Sequence, residues 1–272
     1  MTLERFFTEN QRVVSVEVVR VNGSTPREAG AEMFVGARAV WGTIGGGQLE
    51  YMAIDRARRM RGTGEDHTVM DVPLGPEIGQ CCGGRVVLEL AVLAEAGREA
   101  ALAAQAARQA ALPEVLIFGA GHVGRALARA LAPLPLRARL IDSREEELAL
   151  AGEGVAKCLT PLPEAEISRA EAGAACVIAT HDHALDFLLA AEALGRGDLS
   201  YVGMIGSKTK RASFTRWTRA HAPEADMAGL TCPMGAAGLG DKRPEVIAAF
   251  IVAELLQAVA RVGIPKRMES DA

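Results

Sequence analysis

The residues able to do chemistry fall into five short stretches of this 272-residue chain. In the first, Gly119, Gly121 and Gly124 stand at the G-x-G-x-x-G spacing. An apolar run, Val115 to Phe118, precedes them, and a helical pattern from His122 follows. Orphan N–H groups and the helix dipole at such a turn favour a phosphate. Asp142 closes a second apolar run about 20 residues on, where a dinucleotide crevice has its ribose-binding acid. The ligand can be a dinucleotide or any phosphorylated compound. The plainer alternative is a scaffold whose nucleotide site is altered or unused.

The second stretch, Thr180-His181-Asp182-His183, follows a strand pattern ending at Ala179. Ligands of doubly wound folds bind outside the carboxyl ends of strands. Two imidazoles and a carboxylate there can move protons or bind a metal, while Asp182 is equally suited to cap a helix. The third, Gly203 to Arg211, sets Ser207, Lys208, Lys210 and Arg211 at a helix start. It reads as a second anion site or as a capped, solvated helix face. The fourth is Cys81-Cys82, flanked by Gln80 and Gly83-Gly84. Adjacent cysteines lack the spacing of structural zinc and do not easily bridge each other. A soft thiolate can contact a soft metal or carry sulfur; simple burial is the alternative. Cys158 and Cys176 lie in apolar strand patterns and read as core, and Cys232 is ambiguous. The fifth joins Gly23 to Gly30 with Gly42 to Glu50, two polar glycine-rich loops that look like a binding rim around Gly45 and Gly46. Glu50 complements a helix dipole there.

These stretches need elements to position them. Short strands, a short opening helix over Leu3 to Gln11 and a helix from Gln48 to about Arg61 fill residues 1–96 and predict an N-terminal α+β domain. An Ala-rich segment, 97–112, has helical propensity but few large apolar residues and reads as a linker helix stopped by Pro113. From residue 113 to 272 strand and helix patterns alternate, predicting a Rossmann-type, doubly wound parallel sheet. The fold class is therefore α/β, with a smaller N-terminal α+β domain.

Composition narrows the classes. Apolar residues make up 49% and charged residues 24%, as in a soluble globular chain. A net charge of −4 argues against bulk nucleic-acid binding, which needs a basic footprint. No run reaches the ~18 apolar residues of a membrane span. The first ten residues carry Glu4, Arg5 and Glu9 and do not read as a signal peptide. Five cysteines, an odd number, suggest reduced thiols in the cytoplasm.

Taken in order, Gly23–Gly30, Gly42–Glu50, Gln80–Gly84, Phe118–Gly124, Ala179–His183, Gly203–Lys208 and Cys232-Pro233-Met234-Gly235 resemble the XdhC/CoxI family of xanthine dehydrogenase accessory proteins. The motifs span nearly the whole chain. One segment departs from the family pattern: Gly238 to Glu245 replaces the run usual before the last helix. The resemblance implies a non-enzymatic chaperone of the molybdenum cofactor in its molybdopterin form. It would bind and shield the cofactor, support its sulfuration by a cysteine desulfurase, and insert it into apo xanthine dehydrogenase. Partners so implied also include cofactor-biosynthesis proteins and a second copy in a homodimer. Pterin phosphate is then expected at Gly119, Gly121, His122 and Gly124 or at Ser207 and Lys208. Asp142, His181, Asp182, His183, Gly45 and Gly46 would line the ligand, and Cys81 or Cys82 would meet molybdenum or its sulfur. Two competing readings are an NAD-dependent oxidoreductase, with Asp142 on the ribose, and a docking scaffold that holds no cofactor.

Overall fold

Alternation in Val14–Asn22 (β1) sends Val14, Val16 and Val18 to one face and Ser15 and Glu17 to the other. In the computed structural model, which describes residues 1–75, 83–235 and 240–262, β1 is the central strand of an antiparallel sheet. Its neighbours are β2 (Glu32–Val35), β3 (Val40–Gly42), β4 (His67–Pro73) and β5 (Arg85–Val92), in the order β3-β2-β1-β5-β4. Two helices precede and follow β2 and β3: α1 (Leu3–Glu9) and α2 (Gly47–Thr63). Helix α2 buries Leu49, Ala53, Ala57 and Met60 against the valine face of β1. Each large apolar side chain so buried stabilises by about 1.5–3 kcal/mol.

The other face of this sheet is covered at one end by α1 and by α3 (Glu95–Ala110). Helix α3 begins and ends two residues before the segment expected from sequence, and it is more than a linker. Ala101 packs with Leu3, Phe6, Phe7 and Phe34. Arg98 donates to the carbonyls of Phe7, Asn10 and Gln11 and lies 5.6 Å over the Phe7 ring. The chain divides into two units after Ala107, inside this helix.

The second unit, Arg108–Ala272, holds a parallel sheet. Its strands are β6 (Glu114–Phe118), β7 (Arg137–Asp142), β8 (Ala156–Leu159), β9 (Ala175–Ile178), β10 (Tyr201–Met204) and β11 (Leu230–Thr231), in the order β11-β10-β9-β6-β7-β8. The order reverses between β6 and β9, the topological switch point of a Rossmann sheet. Strand β6 is buried throughout: Val115 and Ile117 face one layer, Leu116 and Phe118 the other. The first layer contains α4 (His122–Leu131), α5 (Glu145–Ala149) and α9 (Pro244–Val262). The second contains α6 (Glu164–Arg169), α7 (His183–Arg196) and α8 (Lys208–His221). Helix α6 had no sequence signal, because it is only six residues long, behind Pro161 and Pro163, with no side-chain cap. Among the described residues no helix is long and apolar enough to cross a membrane.

Candidate functional site

Each unit carries one glycine-rich centre. In the second unit it lies at the carboxyl ends of β6, β7 and β9. Gly119 has φ +108°, and a Cβ there would come 2.7 Å from the Ala179 carbonyl carbon and 2.9 Å from Thr180 Cα. The turn after β6 thus passes against the turn after β9 with no room for a side chain. A Cβ on Gly124 would lie 1.8 Å from Gly119 O, so this glycine lets α4 pack against the strand end. Gly121 differs from both. Its φ is an ordinary −67°, and a Cβ built on it meets no protein atom within 4 Å. It is the N-cap of α4, with no capping side chain and no acidic residue in the first turn. The first-turn N–H groups of α4 are thus left without a side-chain cap, and the space beside the Gly121 Cα is open. His122 is exposed at the first position of the helix.

Asp142 is nearly buried, its side chain 5% exposed. Oδ2 accepts from Ala120 N at 2.7 Å and from Arg144 Nη2 at 2.9 Å. Oδ1 accepts from Arg144 N and Nε, each at 3.0 Å. Burial pushes the carboxyl up, but the hydrogen bonds from Arg144 and from the Ala120 and Arg144 N–H groups outweigh it and hold it below its ordinary value. A depressed folded value contributes stability above the unfolded pKa of about 3.9, lost as pH falls through the lower folded value. The stability gap between wild type and Asp142→Asn is therefore expected to narrow as pH drops from 6 to 3. Urea melts at both pH values measure it, and an unchanged gap would contradict the assignment.

Gly119, Asp142 and His181 line one small cleft together. His181 and His183 are exposed, and Asp182 caps α7 by accepting from Ala184 N at 2.8 Å. Among the described residues no three His, Cys, Asp or Glu side chains converge as metal ligands, and the role the structure gives this turn is to cap α7 beside the cleft. Ser207 likewise caps α8, accepting from Lys210 N at 3.2 Å, and Lys208 is exposed. The other two cations of that stretch are occupied inside the protein. Arg211 donates to the carbonyls of Leu230 at 2.6 Å and Met227 at 3.2 Å. Lys210, its side chain 9% exposed, pairs with the fully buried Asp186. Asp186 Oδ1 in turn accepts from Thr180 Oγ1 at 2.6 Å and Thr180 N at 3.1 Å. The cleft wall after β9 is thus fixed by a buried ion pair between α7 and α8. Sequence reasoning passed over Asp186 and Arg144. Their one signal is position, in the first turn of a helix and two residues after the strand acid.

The glycine-rich centre of the first unit lies where β3 enters α2. Glu50 Oε2 accepts from Thr43 Oγ1 at 2.6 Å, Gly46 N at 3.0 Å and Ile44 N at 3.1 Å. The carboxylate shapes the loop directly, a larger role than dipole complementation. A Cβ on Gly45 would meet Pro26 at 2.5 Å, so the loop lies against the Gly23–Gly30 stretch. Gly84 approaches the same stretch: its Cβ would come 2.9 Å from Asn22 O, and Ser24 bridges to Gly83. Leu74 N donates to Gly84 O at 2.8 Å, and Gly83 N to Leu74 O at 3.0 Å. The fourth and fifth sequence stretches therefore meet in this unit, through Gly83 and Gly84 and the two glycine-rich loops. Cys81 and Cys82 lie outside the described residues, as do Gly238 and Leu239 of the departing segment.

Comparisons with known proteins agree with this division. A family model described as the XdhC Rossmann domain matches residues 115–255, and one described as the XdhC and CoxI family matches residues 7–72. The protein YqeB of Escherichia coli (strain K12) is 28% identical over 263 residues, covering 92% of this chain and 44% of its own length. The chain thus spans less than half of that relative. A crystal structure described as a xanthine dehydrogenase from Bacillus halodurans superposes with a TM-score of 0.77 at 18% identity. It covers 99% of this chain and 96% of its own, a likeness of fold.

Proposed function

The chain belongs to the XdhC family, and from that membership we propose that it serves the maturation of xanthine dehydrogenase. It holds the molybdenum cofactor, in its molybdopterin form, as cargo. It shields the cofactor while a cysteine desulfurase supplies the terminal sulfur, then passes it to the apoenzyme. In this reading the chain binds and hands over and catalyses no reaction of its own.

The observation that carries the reading is the open ground beside Gly121. A phosphate seated there meets the uncapped N–H groups and the positive end of α4. His181, on the wall of the adjoining cleft, offers a donor or acceptor to a polar pterin edge. Cys81 and Cys82 are the soft groups proposed for the molybdenum–sulfur end.

Protein purified from a host that makes the cofactor is expected to carry molybdenum and an oxidisable pterin in near-equal amounts. Metal analysis and the fluorescence of the oxidised pterin read both. Protein that emerges with neither overturns the proposal.

A further inference from the structure

We infer that Arg144 withdraws the nucleoside-reading carboxylate from the crevice, so that the site takes a phosphate monoester without a ribose in preference to a dinucleotide. In a dinucleotide crevice of this topology the acid ending the second strand accepts hydrogen bonds from ribose hydroxyls. That acid is Asp142, at the end of β7. A carboxylate offers about four acceptor positions. Here four donors fill them: Ala120 N and Arg144 Nη2 on Oδ2, Arg144 N and Nε on Oδ1. A ribose diol has no acceptor left unless the guanidinium fork opens, and a bidentate charged pair resists opening.

Arg144 is backed on its far side as well. Its Nη1 lies 4.0 Å from Glu147 Oε1, and the other Glu147 oxygen pairs with Arg125. Arg125 Nη1 donates to Ala120 O at 2.5 Å, which returns the network to the glycine turn. Moving Arg144 aside would disturb the turn itself. This edge also gains no net positive charge from its two arginines. Asp142 and Glu147 balance them, and Glu145 and Glu146 add two more carboxylates in the first turn of α5. A second phosphate on a nucleoside is therefore not favoured here either. The remaining anion position is the ground beside Gly121, and the inference rests on reading it as a phosphate cradle.

The test uses the full chain, freed of bound ligand, and titrates NADH and ADP-ribose into wild type, Arg144→Met, and Arg144→Met combined with Asp142→Ala. Arg144→Met is expected to bind both nucleotides at least tenfold more tightly than wild type. The gain is expected to vanish in the double variant, since the freed carboxylate is its source. Two results overturn the inference: no gain in Arg144→Met over wild type, or a gain that survives removal of Asp142. Circular dichroism melts check folding, and Arg144→Gln replaces the methionine variant if that one does not fold. Molybdenum and pterin content of the wild type reads the proposed function. The nucleotide gain reads Arg144, so the two can fail separately.

Discussion

Lys210→Met is expected to destabilise the second unit by about 3–5 kcal/mol, the usual cost of leaving one member of a buried ion pair alone. Asp186 is fully buried, and Lys210 is its countercharge, reaching it from the first turn of α8. The lysine stem folds back over Gly206, where a Cβ would meet it at 2.6 Å. Methionine retains most of the apolar stem and removes only the ammonium, so the loss measures the charge. Adding Asp186→Asn should restore most of the stability. The amide is neutral and its oxygen can still accept from Thr180 Oγ1 and N. Urea unfolding of the single and double variants reads this. A single variant within about 1 kcal/mol of wild type, the range of an ordinary surface change, would show that the pair is not holding the wall of the cleft.

The glycine turn makes the second large effect, and it is a contrast between two alanines three residues apart. Gly124→Ala places a methyl 1.8 Å from Gly119 O, a backbone atom that cannot rotate away. Separating α4 from β6 to admit it is expected to cost about 3 kcal/mol or more. Gly121→Ala meets nothing within 4 Å and sits at an ordinary φ. Its stability should stay within about 1 kcal/mol of wild type. Its methyl stands in the open ground instead, so copurifying pterin and molybdenum should fall at least tenfold. Thermal melts and cofactor content on the two variants separate the roles. A Gly121→Ala protein that keeps its full cofactor load would remove Gly121 from the cradle.

What the sequence made legible divides along the same line. The parallel sheet and the glycine turn were readable because each depends on neighbours in the chain: an apolar run, a glycine spacing, a helix pattern. The caps by Asp182 and Ser207 were readable for the same reason. The pairing of Asp186 with Lys210 was not, since it depends on α7 and α8 being brought side by side 24 residues apart. The fork on Asp142 was hidden differently. Arg144 is only two residues away, but whether it turns toward the acid or toward solvent depends on Ala120 and Glu147. Helix α3 looked like a spacer because alanine buries little area. Its attachment runs through Arg98 to backbone carbonyls, which no side-chain pattern announces.

The loop between β3 and α2 carries a resident anion. Glu50 Oε2 already sits on the N–H groups of Ile44 and Gly46, the place a glycine loop would otherwise give an incoming phosphate. A phosphate offered there meets a like charge and finds its donors taken. The two glycine-rich centres are therefore not equivalent. In the second unit the first turn of α4 has no side-chain cap, while in the first unit a carboxylate of the chain itself fills the donors of the loop.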